Sequence, residues 1–403
     1  MSALDELLRG RQLVVCVGPG GVGKTTVAAA LGVRAAQLGR RTLVLTIDPA
    51  RRLITTLGLA DLGDAYREVP LRGLGGEAPL YAAMLDPGAS FDALVDRIAV
   101  DPAHRERILD NRLYRIFSRA FGNAHAYIAM ERLHDAVASG GFDLVILDTP
   151  PTRNALDILD APGRLLAFLD ERVVGWLLRQ PPEGLRARLL ARGGAAARRL
   201  LALLAGDSLV DDLADFLGLF AALRPGFQAR ADAVQALLRA PESAFALVTS
   251  ALADNLADAA YLRDGLAERG VPLRALVVNR AYVPLGEHPW SIDAPPRSQT
   301  DDDRARLLAL AAADGPAAGA EGDAAGFAAL VGELARLRQE VAADNARARE
   351  AIAAFAAAAP PTCLKVQVPT LDHEPQDRRA LAGLAALLAD PRAALGRGAT
   401  RTR

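Results

Sequence analysis

Lysine is nearly absent from this chain: of its 47 basic side chains only Lys24 and Lys365 are lysines, and the rest are arginines. Cysteine is equally scarce. Cys16 and Cys363 are the only two, both sit in apolar runs that read as strands, and a small buried hydrophobe is the simplest reading of each. An excess of charge of one sign is also missing, since 47 basic side chains face 48 acidic ones and the net charge is −1. That balance argues against the basic footprint left by nucleic-acid binding. No run of about 18 apolar residues is available to span a bilayer, and no N-terminal segment resembles a signal peptide. The expectation is a cytoplasmic protein with no nucleic-acid partner and no stable membrane insertion. What remains is a chain of 403 residues, 51% of them hydrophobic, which suffices for a large core.

Against the arginine bias, the position of Lys24 stands out. It lies in Gly18-Pro19-Gly20-Gly21-Val22-Gly23-Lys24-Thr25, a glycine-rich loop between the apolar run Leu13 to Val17 and a helical stretch from Thr25 to Leu38. Such a loop lets successive backbone N–H groups converge on a phosphate, and the helix that follows adds partial positive charge. A lysine places a compact charge against the β and γ phosphates in a way that guanidinium does not. Thr25 offers a hydroxyl to magnesium. The loop therefore predicts ATP and Mg as ligands of Gly20, Gly21, Val22, Gly23, Lys24, Thr25 and Thr26.

The helical stretch stops at Gly39, which can take the left-handed cap conformation. A second strand, Arg41 to Ile47, completes a β-α-β unit. Further strands are predicted at Leu80 to Leu85, Phe142 to Leu147, Phe245 to Thr249, Leu273 to Val278 and Cys363 to Val368. The fold class is α/β, a doubly wound, mainly parallel sheet. One P-loop ATPase domain is expected over residues 1–403, with a nucleotide-binding core at about 11–87, 135–160, 241–285 and 359–392. Helical insertions are expected at about 88–134 and 161–240, and a loop and helical insertion at about 286–358. Leu213, Phe216, Leu217, Phe220 and Leu223 share one helical face, which reads as core packing or as a groove for a partner helix. Residues 288–325 read as loops around a short helix, with part disordered. From Phe327 the apolar positions Leu330, Leu334, Leu337 and Val341 keep heptad spacing until Asp344, and packing within the chain is preferred over a coiled coil.

Two carboxylates join the loop. Asp48 follows the second strand in Asp48-Pro49-Ala50, and Asp148 ends the run Leu144 to Leu147. Carboxyl ends of strands are where open α/β sheets bind ligands. In phosphoryl transfer one such group holds magnesium and another orients the attacking water. Asp148 is assigned the first role, through water, and Asp48 the second. Taken singly, each could instead be a turn former or helix cap.

These segments together resemble the ArsA family of ATPases, which includes the arsenite-pump ATPase and the ATPase that delivers tail-anchored membrane proteins. The loop, Asp48-Pro49-Ala50 as switch I and Asp148-Thr149-Pro150-Pro151-Thr152 as switch II carry the resemblance. Val277-Val278-Asn279-Arg280 is similar to the family's adenine-contacting segment and Gln367-Val368-Pro369 to its late strand end, so the resemblance places Asn279 and Pro369 beside adenine. The run from Asp148 to Asp170 looks most like a bacterial subgroup. The resemblance also implies a nucleotide-driven homodimer, or a heterodimer with a homologous ATPase, acting on an unidentified protein or membrane-protein partner. Asp48 and Lys24 would be the catalytic residues.

The departures are specific. Pro19 stands where the family carries a signature lysine that reaches the other subunit's nucleotide. Arg51, Arg52 or Arg153 is left to supply that cation, or each is an ordinary surface charge. Arg153-Asn154 replaces the usual Gly-His of switch II. No third cysteine accompanies Cys16 and Cys363, no Cys-x-x-Cys is present, and the methionines are Met1, Met84 and Met130 alone. Neither the metalloid site nor the zinc site and methionine groove of the named relatives carries over. A nucleotide-binding subunit with weak hydrolysis that pairs with a homologue, a positioning ATPase like MinD or ParA, and a small-molecule kinase are the alternatives.

Overall fold

The computed structural model of the chain describes residues 2–47, 52–59, 65–85, 92, 95–114, 122–150, 156, 159–160, 207–283, 324–371, 373–375 and 377–390. Among the described residues eight strands form one sheet: β1 (Leu13–Val17), β2 (Thr42–Thr46), β3 (Arg67–Val69), β4 (Leu80–Met84), β5 (Leu144–Asp148), β6 (Ser243–Ser250), β7 (Leu273–Asn279) and β8 (Leu364–Gln367). Their order is β3-β4-β2-β5-β1-β6-β7-β8, and every pairing is parallel except that of β3 with β4. The doubly wound α/β sheet expected from the sequence is thus present, and its strands begin and end within two residues of the expected positions. The edge strand β3 has no counterpart in that expectation. It is three residues long with Arg67 and Glu68 exposed, so it carries neither an apolar run nor a clear alternation. Cys363, the first residue of the expected strand, lies just before β8.

The strands alternate their side chains between two apolar layers. Val14, Cys16, Val44, Ile146, Ala246 and Val277 face one layer, completed by helices α1 (Ala3–Gly10), α2 (Lys24–Gln37), α3 (Arg52–Leu57) and, after β8, the last helix, Arg378–Ala389. Leu13, Val15, Leu45, Val145, Phe245 and Leu276 face the other. Because both faces are covered, β1, β2 and β5 are buried along their whole length, which is why they read as unbroken apolar runs. Helix α2 approaches the sheet closely. A Cβ at Gly32 would stand 2.5 Å from Val44 Cγ2, and Ala28, Ala29 and Ala30 are fully buried. Its C-terminus is a Schellman cap: Gly39, at φ +80°, donates to Ala36 O at 3.1 Å, and Arg40 N donates to Ala35 O at 3.0 Å.

The second apolar layer is built from α5 (Gly122–Ala138), α6 (Asp207–Arg239), α7 (Ala253–Glu268) and α8 (Ala324–Ala357), while α4 (Pro102–Asp110) packs against α6, and the terminal helix is α9. The stretch Gly122–Ala138 is one helix, so the expected division at residue 134 falls inside it. On α6, Phe216 and Leu223 are buried together with Phe227, Val234 and Leu238, which makes that face core packing. The side chains of Leu213, Leu217 and Phe220 lie outside the described residues. Arg230 on α6 ties the helix to α5: it pairs with Glu131 and reaches Asp135 at 2.6 Å. The heptad expectation for α8 is not met at Leu337, which is 45% exposed. The helix packs instead through Ile352 and Phe355 near its C-terminus, where it meets α7. The loops expected over 288–325 lie outside the described residues, apart from Ala324 and Ala325 at the start of α8. No described helix is long and apolar enough to cross a membrane.

Candidate functional site: the phosphate loop and the adjoining cavity

The site lies at the carboxyl ends of β1, β2, β5, β7 and β8. The chain leaves β1 at Gly18, where a Cβ would fall 1.9 Å from the carbonyl oxygen of Val248 on β6. No side chain can be placed there without separating two central strands. Gly23 closes the loop as the N-cap of α2, with φ +90°, a conformation that disfavours any residue with a Cβ. Lys24 follows at the first helical position and is 5% exposed. Its Nζ donates to the carbonyl oxygen of Pro19 at 2.7 Å. The ammonium is thereby folded back over the loop, and Pro19 takes part through its carbonyl even though it has neither charge nor N–H to offer.

Asp148, at the end of β5, is fully buried. Its Oδ2 accepts from Thr25 Oγ1 at 2.8 Å and from Thr46 Oγ1 at 3.0 Å. The structure therefore brings together the two residues assigned to magnesium, Thr25 and Asp148, although 123 positions separate them. Thr46 was not singled out from sequence. Its only signal is register: it ends β2 directly opposite Asp148 in the parallel β2–β5 pairing. The next residue, Ile47, donates its N–H to Asp148 O at 3.2 Å, and Thr149 Oγ1 donates to Cys16 O at 2.7 Å. A hydroxyl and a carboxylate are both hard oxygen donors, the type magnesium takes, so this pair fits the ion. Asp48, Arg51 and Arg153 lie outside the described residues, as does the side chain of Arg52.

Beside the loop is a cavity of about 750 Å³. Gly21, Gly23 and Thr26 line it from the phosphate loop, Thr55 and Thr56 from α3, Asn279 and Arg280 from the end of β7, and Pro369 to Leu371 with His373 to Pro375 from the segment after β8. Asn279 and Pro369 thus share one cavity with the phosphate loop. Gly20 is exposed on the loop, and Val22 is buried beneath it. Sequence reasoning missed Thr55, Thr56, His373 and the Arg280–Glu374 ion pair at 2.6 Å, whose members stand 94 positions apart. The volume is of the order that holds a small organic ligand (about 300–1,000 Å³).

The two thiols are not part of this chemistry. Burial pushes the Cys16 thiol far above its ordinary range, with the Asp148 carboxylate adding to the effect, and burial pushes Cys363 up to about 11. Both are buried and free, as expected for small hydrophobes.

Comparison with known proteins agrees with this geometry. Residues 11–176, from just before β1 to beyond β5, match the family model described as anion-transporting ATPase, ArsA type. The chain is 29% identical over 176 residues to the arsenical pump-driving ATPase of Escherichia coli, a match covering 42% of this chain and 28% of that one. It is 26% identical over 305 residues to ATPase GET3B of Arabidopsis thaliana, covering 70% and 68%. An uncharacterised protein of Streptomyces coelicolor is 32% identical over 245 residues, covering 55% and 56%. The chain therefore spans little more than a quarter of the arsenical pump ATPase and about two thirds of the Arabidopsis protein. With the phosphate loop, Asp148 and the parallel sheet in the arrangement described, the chain is similar to ATPases of the ArsA family and matches that family's model over residues 11–176.

Proposed function

We propose that the chain hydrolyses ATP and uses the cycle of binding and hydrolysis to change the conformation of a dimer acting on an unidentified protein or membrane-protein partner. The observation that carries this reading is the joining of Thr25, Thr46 and Asp148 beside the buried Lys24. In this reading the loop N–H groups and Lys24 neutralise the β and γ phosphates, and Asn279 and Pro369 border the adenine. Thr25 would ligate magnesium directly and Asp148 through water. The ion, when bound, adds charge neutralisation on the β and γ oxygens. Asp48 follows Thr46 by two residues and is assigned the orientation of the attacking water. That water forms the new bond to the γ phosphorus as the bond to the β–γ bridging oxygen breaks, and ADP departs with the electron pair.

Steady-state ATPase rates of wild type, Lys24→Ala and Asp48→Asn test the reading. Both variants are expected to fall by about a thousandfold, the scale of removing a principal charge-stabilising or water-orienting group. Equal rates in all three proteins would remove the hydrolase reading.

Pro19 favours a second reading, in which the chain binds nucleotide but hydrolyses it well only beside a homologue that contributes a cation. Its side chain carries no charge where the family places a lysine, and its polar contact with Lys24 Nζ is through the main-chain carbonyl that any residue there would offer. Tight ATP binding with negligible turnover by the pure chain, restored by a partner, supports it. Robust turnover by the pure chain excludes it.

A further inference from the structure

Asn279 uses its carboxamide at both ends. Its Nδ2 donates to the carbonyl oxygen of Val22 at 2.9 Å, across 257 positions of sequence, and its Oδ1 accepts from the N–H of Arg280 at 3.1 Å. These partners fix which end of the amide is which, because a carbonyl can only accept and a backbone N–H can only donate. Gly23 is fitted to the same contact: a Cβ there would lie 2.5 Å from Asn279 Nδ2. Arg280, with φ +53°, is the one non-glycine residue with positive φ among the described residues, and its guanidinium meets Glu374, which lines the same cavity. Two consecutive residues at the end of β7 thus grip the phosphate loop on one side and the segment after β8 on the other.

The Val22 carbonyl and the Gly23 N–H belong to one planar, trans peptide unit, so their directions are opposed. Holding the carbonyl toward Asn279 points the Gly23 N–H away from it. We propose that Asn279 is a positioning residue for the phosphate loop, aiming the Gly23 N–H at the phosphates through the Val22 carbonyl, so that phosphate affinity depends on this amide even for a ligand without a base. The inference rests on the nucleotide-binding reading above and adds a role distinct from bordering adenine.

The variant Asn279→Asp keeps the oxygen that accepts from Arg280 and nearly the same shape, and replaces the Nδ2 donor with an oxygen that faces the Val22 carbonyl. Asn279→Ala removes both contacts and serves as the second variant. Calorimetric titration with Mg-tripolyphosphate, which has no base, and with Mg-ATP separates the roles. Tripolyphosphate binding is expected to weaken about tenfold in Asn279→Asp, the scale of one lost hydrogen bond, with ATP weakened at least as much. Tripolyphosphate affinity within about twofold of wild type, alongside weakened ATP binding, would make Asn279 a base contact only and overturn the inference. Hydrogen exchange across residues 20–27 in ligand-free protein reads the same contact without any ligand. Faster exchange in both variants is expected, and exchange equal to wild type overturns the inference. A wild-type protein that bound no ATP would count against the nucleotide reading instead, and the exchange result would still decide the role of Asn279 in the loop.

Discussion

The two sides of the molecule are held by different means. At the carboxyl edge of the sheet, position is set by close approach at glycines and by buried hydrogen bonds: Gly18 faces the Val248 carbonyl, Gly23 faces the Asn279 side chain, and Thr25 and Thr46 donate to Asp148. In the helical layer on the opposite face, α5 and α6 are held by packing of Phe227 and Val234 and by the charges of Arg230, Glu131 and Asp135. The first arrangement leaves little freedom to substitute and fixes chemistry. The second sets stability and can be re-packed without touching the site.

The largest expected effect breaks the first side at its root. In Gly18→Ala the new Cβ would meet backbone rather than a movable side chain, so relief requires β1 to shift from β6. A loss of at least about 3 kcal/mol in urea denaturation is expected, with nucleotide binding lost as well. A variant with wild-type stability would show that the β1–β6 contact yields more easily than described. Next in size is Arg230→Ala on the helical side. Glu131 is 3% exposed, and removing its cation leaves a buried carboxylate, at a cost of about 2–3 kcal/mol once the partial exposure of Arg230 is allowed for. ATP affinity should stay within about twofold of wild type, and a matching loss of affinity would erase the distinction between the two sides. The smallest effect is that of Thr46→Val, which removes one hydroxyl donor to Asp148 while keeping shape. A loss of about 1–2 kcal/mol is expected, together with a several-fold rise in the magnesium concentration needed for half-maximal hydrolysis. An unchanged magnesium dependence would separate Asp148 from the metal role.

How much of this was legible in the sequence follows from how local each signal is. The β1 run, the loop glycines, Gly39 as the helix stop and Asp148 at a strand end are each written in fewer than about ten neighbouring residues, and each is found where the sequence places it. Thr46 as a partner of Asp148 depends on strand register. The Asn279–Val22 bond depends on β6 lying between β1 and β7 while the loop arches over it. Nothing in the neighbourhood of either residue encodes those meetings. Arg280 shows the same limit from another side: its left-handed backbone is supported by the Asn279 side chain, a contact that residue type alone does not announce. Heptad spacing misled at Leu337 because periodicity reports a shared helical face and says nothing about whether a neighbour covers it.

Titration of Mg-ATP into wild type and Lys24→Ala, followed by calorimetry, tests most directly the claim that Gly18 to Thr25 is the nucleotide's phosphate site. Saturable binding by wild type and a loss of at least about a hundredfold in the variant are expected, because a buried ammonium against phosphate is a charge-assisted contact with no substitute at that position. Equal affinity in the two proteins would contradict it.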